Sequence, residues 1–248
     1  MIKVIALDAD DTLWHNEYLY RQARVQYQEM LAGVFPPDWV GQKLDEIEVY
    51  NVRHYGYGIK SFILSMIETL VALMPPDGAG GETILENDND CLKGEYLQKV
   101  LQIAHQMLYA EVKLMDQVED VLAALSDHYR LMLITKGDLL EQGRKVERSG
   151  LMAYFQAVEI ISDKSAAQYQ SLLKLHRIDP GEFLMVGNSL RSDILPVLEI
   201  GGWAVYIPYE DTWRYEVVPD QEVTAERYYQ IEDLGQLPDL LLQLSAVD

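Results

Sequence analysis

Four short polar clusters carry the residue types that side-chain chemistry needs: Asp8-Ala9-Asp10-Asp11-Thr12-Leu13, Thr135-Lys136-Gly137-Asp138, Ser162-Asp163-Lys164-Ser165 and Gly187-Asn188-Ser189-Leu190-Arg191-Ser192-Asp193. Singly, each has an ordinary explanation. An Asp-X-Asp pair is often a solvated turn, Thr135 and Ser189 suit helix N-caps, and a lone lysine such as Lys164 usually sits at the surface. Jointly, they hold the parts of a phosphoryl transfer. A carboxylate such as Asp8 can attack phosphorus and split hydrolysis into two steps, provided the charge on the phosphoryl oxygens is neutralised. Mg²⁺ prefers a few hard oxygen ligands, which Asp8 and Asp193 supply. Thr135, Lys136, Lys164 and exposed backbone N–H groups are then candidates for holding the phosphate. Asp10 is a second acid, able to protonate the leaving oxygen and afterwards to activate water.

Such convergence requires a scaffold that ends each cluster's preceding element at one place. The run Ile2 to Leu7 is mostly apolar and stops at the first aspartates, as a buried strand does. From Asp116 the pattern alternates: a helix through Val118, Val121, Leu122 and Leu125, a strand from Arg130 to Ile134, a helix ended by Gly150, and a strand from Ala157 to Ile161. A helix over 165–176, a strand from Phe183 to Val186, a helix near 192–200 and a strand from Trp203 to Ile207 follow. Helix–strand alternation implies right-handed crossovers and a doubly wound parallel sheet, a Rossmann-like α/β fold whose ligands bind beyond the carboxyl ends of the strands. Each cluster falls at such an end. Between Asn16 and Val112 the signals are only helical. One face carries Tyr20, Ala23, Tyr27, Met30 and Leu31, a second Ile59, Phe62, Ile63, Met66, Ile67, Leu70, Val71 and Met74, a third Leu97, Val100, Leu101, Ala104, Met107 and Leu108. Pro75-Pro76-Asp77-Gly78 ends the second, and the Gly- and Asp-rich stretch to Asp90 reads as a loop.

In this order and at these strand ends, the clusters resemble the motifs of the haloacid dehalogenase (HAD) superfamily, phosphatase branch, with a helical cap inserted after the first motif. The similarity runs over essentially the whole chain. The first motif, DxDx[TV]L, is matched by Asp8 to Leu13, the second-motif hydroxyl by Thr135, the third-motif lysine by Lys164 and the fourth motif by Gly187 to Asp193. The resemblance implies a HAD-like core in residues 1–15 and 113–248 and an all-helical cap domain in 16–112. It implies Asp8 as nucleophile and Mg²⁺ ligand, and Asp10 as general acid/base with its backbone carbonyl on the metal. Asn188 and Asp193 complete the metal set. Asp11 stands where many relatives have glycine, which restricts the turn. Asn188 replaces an aspartate, which removes one negative charge but leaves an amide oxygen for the metal. These departures keep a catalytically weakened binding or regulatory protein of the same fold in view. A 2-haloacid dehalogenase, needing no metal, fits less well, since such enzymes usually carry a non-acidic residue where Asp10 stands.

Trp14, His15 and Tyr18, just after the first cluster, are candidates for lining the substrate entrance. His54, Tyr55 and Tyr57, flanking Gly56 and Gly58, are candidates for a loop reaching the substrate, and Arg191 for a pairing with substrate or Asp193. The stretch from Pro208 to about Tyr229, rich in Tyr, Trp and acids, shows no pattern suggesting chemistry. The 248 residues carry 20 Lys+Arg against 40 Asp+Glu, a formal net charge of −20, with the excess spread along the chain. That argues against nucleic acid or anionic membrane surfaces as partners and leaves a small phosphorylated metabolite. One cysteine, Cys91, makes no internal disulfide, and no targeting or membrane-spanning segment is evident. A cytoplasmic location is the expectation.

Overall fold

The computed structural model describes residues 1–73, 89–211, 213, 216, 218, 223 and 225–245. Met74, Pro75 to Gly78 and the stretch read as a loop, through residue 88, lie outside them. The chain divides into two compact units, one made of Met1–Glu17 with Glu111–Asp248, the other of Tyr18–Ala110.

The first unit is built on β1 (Val4–Leu7), β2 (Arg130–Lys136), β3 (Ala157–Ile161), β4 (Phe183–Gly187), β5 (Trp203–Tyr206) and β6 (Tyr228–Gln230). They form one sheet in the order β3-β2-β1-β4-β5-β6, every neighbouring pair parallel. Because successive side chains of a strand face opposite ways, the central strands must be apolar on both sides. Ile5, Leu7, Leu131, Leu133, Leu184 and Val186 face one core, with α5 (Val118–Ser126), α6 (Leu139–Ser149) and α9 (Leu237–Ser245) over it. Val4, Ala6, Met132, Ile134, Phe183 and Met185 face the other, covered by α7 (Ala166–His176) and α8 (Leu195–Glu199). The full burial of these side chains, worth about 1.5–3 kcal/mol for each large one, fixes the register. The chain reverses its direction of sheet growth at β1, between β2 and β4, and the carboxyl ends there are where such folds hold ligands.

The expected strands and helices of this unit are present within a residue or two, with three refinements. The helix near 192–200 is a π-helical turn, Leu190–Ile194, running into α8. The edge strand β6 and the terminal helix α9 add to the expected set. The cap of α6 is Asp138, whose carboxylate accepts from Leu140 N (3.1 Å) and Glu141 N (3.0 Å), while Thr135 stays inside β2.

The second unit packs α1 (which begins at Glu17 and ends at Leu31), α2 (Pro37–Tyr55), α3 (Ile59–Leu73) and α4 (Asn89–Leu108). Tyr27, Leu31, Val40, Leu44, Phe62, Met66 and Val100 lie at its centre, and the Tyr27 hydroxyl donates to Met66 O at 2.8 Å. Helix α2 is an addition to the three helices legible in the sequence. Its buried row is Val40, Leu44, Glu48 and Asn51, so two of four inward positions are polar and the apolar period is broken. Glu48 is answered by Arg24 of α1, and Asn51 Nδ2 donates to Ser65 Oγ at 3.1 Å. His54 and Tyr55 are the end of this helix, not part of a loop. Gly56 stops it at φ 78°, a left-handed value that glycine adopts freely. Among the described residues no helix is long and apolar enough to cross a membrane.

Candidate active site

Asp8 is the first residue past β1, and its N–H continues the ladder to Val186 O at 2.9 Å. The chain then turns tightly, with the N–H groups of Thr12, Leu13 and Trp14 all on Ala9 O and Asp11 N on Trp14 O. The turn sets Asp11 at φ 62°. Glycine takes this conformation without strain, and aspartate is among the side chains that tolerate it best. Here Asp11 does more than tolerate it: its buried carboxylate accepts from Asn16 N (2.8 Å) and Glu17 N (3.1 Å), holding the start of α1. Burial outweighs those donors and pushes its carboxyl up to about 6.

Lys164, following β3, is buried rather than at the surface. Its ammonium bonds Asp8 Oδ1 and, at 2.6 Å, Asp193 Oδ1. The other Asp193 oxygen accepts from Ser189 N at 3.0 Å. This approach needs Gly187, because a Cβ there would stand 2.3 Å from Asp193 Oδ2. Burial drives the Asp8 carboxyl above the usual carboxylate range, with Lys164 opposing and Asp193 and Asp10 reinforcing. The same burial pulls Lys164 down, but Asp193 and Asp8 outweigh it and hold the amine above its ordinary value, so it remains an ammonium. Thr12 Oγ1 lies 3.3 Å from Asp8 Oδ2 and 3.4 Å from Asn188 Oδ1, which sets a carboxylate and an amide oxygen beside one hydroxyl. Thr135 is buried at the carboxyl end of β2.

Asp10 sits apart from that cluster. Its Oδ1 accepts from Trp14 Nε1 (2.7 Å) and its Oδ2 from Gln142 Nε2 (2.8 Å), while Lys145 Nζ reaches both oxygens at 3.0 and 2.9 Å. Trp14 is therefore inside the core with its indole N–H on Asp10, not on an entrance. His15 is half-buried with its N–H on Lys113 O, and Tyr18 is half-buried as the first residue of the helical unit. Gln142 and Lys145 had no motif to mark them; the only signal was their spacing on the helix that follows the second cluster.

Lys136 binds within the protein. Its ammonium bonds Ser192 Oγ at 2.8 Å and the carboxylate of Glu216, whose other oxygen accepts from Ser189 Oγ (2.6 Å) and Ser192 Oγ (2.7 Å). Burial alone would raise Glu216, but the Lys136 charge and these donors hold its carboxyl down at about 2. The segment after Pro208, which shows no chemical pattern in sequence, thus sends one carboxylate to the edge of the site. Arg191 is exposed, and Asp193 is paired with Lys164.

A family model described as haloacid dehalogenase-like hydrolase matches residues 2–201. Among curated proteins, the chain is 27% identical over 217 residues to a glyceraldehyde 3-phosphate phosphatase of Pyrococcus abyssi, covering 84% of this chain and 82% of that protein. It is 30% identical over 158 residues to a human (Homo sapiens) N-acylneuraminate-9-phosphatase, covering 61% of this chain and 58% of that one. Among solved structures, a haloacid dehalogenase-like family hydrolase from Xanthomonas campestris superposes with a TM-score of 0.82 at 33% identity, over 99% of this chain and 92% of that one. The ordered motifs, the sheet that gathers them and a family match across most of its length make one conclusion: this chain belongs to the haloacid dehalogenase-like hydrolases.

Proposed function

We propose that this hydrolase is a Mg²⁺-dependent phosphatase acting on a small phosphorylated metabolite through an aspartyl-phosphate on Asp8. The observation that carries the reading is the sharing of one buried ammonium, Lys164, by Asp8 and Asp193 at the carboxyl edge of the sheet, with Asp10 held separately two residues on. Two carboxylates in different surroundings suit two different roles. An Asp8 oxygen forms the new bond to phosphorus as the bond to the leaving oxygen breaks, and Asp10 gives that oxygen its proton. Asp10 then takes a proton from the water that attacks phosphorus, releasing phosphate and restoring the Asp8 carboxylate. Lys164, Thr135 and the backbone N–H groups after β1 and β2 hold the phosphoryl oxygens, and Lys136 joins them when it leaves Glu216.

The donor set suits Mg²⁺. Asp8 and Asn188 each place an oxygen beside the Thr12 hydroxyl, Asp193 is adjacent through Lys164, and two carboxylates on a single ammonium leave negative charge for a cation to offset. Among the described residues no three His, Cys, Asp or Glu side chains group as a metal site. An amide oxygen and the Asp10 backbone carbonyl would complete this one, with Asp8, Asp10, Asn188 and Asp193 as the ligands. Bound there, Mg²⁺ supplies charge neutralisation for the phosphoryl oxygens. The names of the relatives, phosphatases of glyceraldehyde 3-phosphate and of an N-acylneuraminate 9-phosphate, support an alkyl phosphate monoester as substrate. The helical unit, entered directly after the first motif, is assigned as the family's cap domain.

Phosphate release from a panel of sugar, polyol and hydroxy-acid monophosphates, with Mg²⁺ and with chelator, tests the assignment. Turnover should need Mg²⁺, and Asp8→Asn should lower it by at least about 10³-fold, as expected when a covalent nucleophile is removed. Unchanged turnover in that variant would overturn the nucleophile.

A further inference from the structure

We infer that Lys145 is a positioning residue for the acid/base step: from α6 it fixes the carboxylate of Asp10 in the orientation that serves the leaving oxygen. The inference rests on the phosphatase reading and goes beyond it, since no motif includes this residue. Lys145 Nζ contacts both Asp10 oxygens, at 3.0 and 2.9 Å, and Asn16 Oδ1 at 2.8 Å. Trp14 on Oδ1 and Gln142 on Oδ2 are neutral donors, one to each oxygen; Lys145 adds a charge-assisted bond to both at once, which strengthens that grip.

Gln142 and Lys145 are three residues apart and so share a face of α6. Gln142 also donates to Lys136 O at 3.3 Å, tying the helix to the carboxyl end of β2. Its orientation is dictated, because the reversed amide would set an oxygen against a carboxylate. Lys145 is itself secured: burial pulls its amine down, but Asp10, Glu141 and Asp11 outweigh that and keep it charged. Held groups that need no reorganisation during reaction are a main source of enzymatic rate. The helix after the second motif therefore aims the acid of the first.

Leaving-group dependence tests this. An aryl phosphate such as p-nitrophenyl phosphate departs with little need of a proton, whereas an alkyl phosphate such as glycerol 3-phosphate, or the panel ester turned over fastest, depends on one. Lys145→Met should lower kcat for the alkyl ester by on the order of 10–100-fold, and by at least tenfold more than for the aryl ester, with KM little changed. Lys145→Arg, which keeps the charge, should retain more alkyl activity than Lys145→Met. Equal losses on both esters, no loss, or the reverse order of the two variants would overturn the inference while leaving the phosphatase reading intact. If Lys145→Met fails to fold, Lys145→Gln, which removes the charge and keeps a polar group, is judged by the same ratio, with a selective alkyl loss expected and an equal loss or none overturning the inference. A wild-type protein that hydrolyses neither ester sinks the phosphatase reading, and this inference with it.

Discussion

At the scale of single residues, the site is shaped as much by what is missing as by what is present. Gly187 has ordinary backbone angles, so its value is steric: Asp193 Oδ2 occupies the space where any side chain would begin. Gly187→Ala should therefore push Asp193 from Lys164, costing about 1–3 kcal/mol of stability as an overpacked position and most of the phosphatase turnover. Denaturant unfolding together with phosphate release measures both, and full activity would show that the approach is not required. Asp11 illustrates the converse. A residue that departs from the family's glycine keeps the left-handed turn and adds bonds to Asn16 N and Glu17 N. The departure that looks like a restriction in sequence is a strut in three dimensions.

At the scale of elements, α2 and α6 carry the lessons. Glu48 faces inward on α2, with Arg24 bonded to it and to Asp45 and stacked 5.1 Å over Phe62. Burial raises the Glu48 carboxyl, and Arg24 only partly offsets this. A carboxyl raised in the folded state contributes stability that is present below its unfolded value and lost as pH rises through the folded one. Arg24→Met leaves that carboxylate unpaired and should cost about 3–5 kcal/mol at pH about 8. The cost should shrink toward pH about 5, as Glu48 takes up a proton. Chemical denaturation of wild type and variant at both pH values gives the difference, and a cost that grows on acidification would contradict the account. Helix α6 is bounded by Asp138 and Gly150, both legible as punctuation. What it does for Asp10 depends on which face it turns to β1.

At the scale of the whole molecule, a protein of net charge −20 must draw an anionic substrate to a cluster of carboxylates. Lys164, Lys136 and Lys145 are each engaged with carboxylates, so little positive field is left to reach outward. Salt should then help. Raising monovalent salt from about 0.01 to 0.15 M shortens the screening length from about 30 to 8 Å and mutes the repulsion of distant acids. At fixed Mg²⁺, KM for a phosphate monoester should fall over that range while kcat changes little. Steady-state kinetics across the series checks it, and a rising KM would mean that local cations dominate the approach.

The sequence by itself determined the parallel α/β core, the helical insertion and the order of the motifs, because buried parallel strands must be apolar throughout and their polar ends stand out against them. Asp8, Thr135, Lys164 and Asp193 were legible for that reason. Other features were not. The helix α2 was hidden because its inward row contains Glu48 and Asn51, whose partners Arg24 and Ser65 come from other helices. Glu216 was hidden because its partners lie far away in sequence, at Lys136, Ser189 and Ser192. Lys145 and Gln142 read as ordinary helix-surface residues until α6 is laid against the first motif. Periodicity reports what one element needs to bury. Which charge answers which is decided only where elements meet, and at those meetings the structure assigned Lys164 to two carboxylates, Lys145 to a third and Lys136 to a fourth.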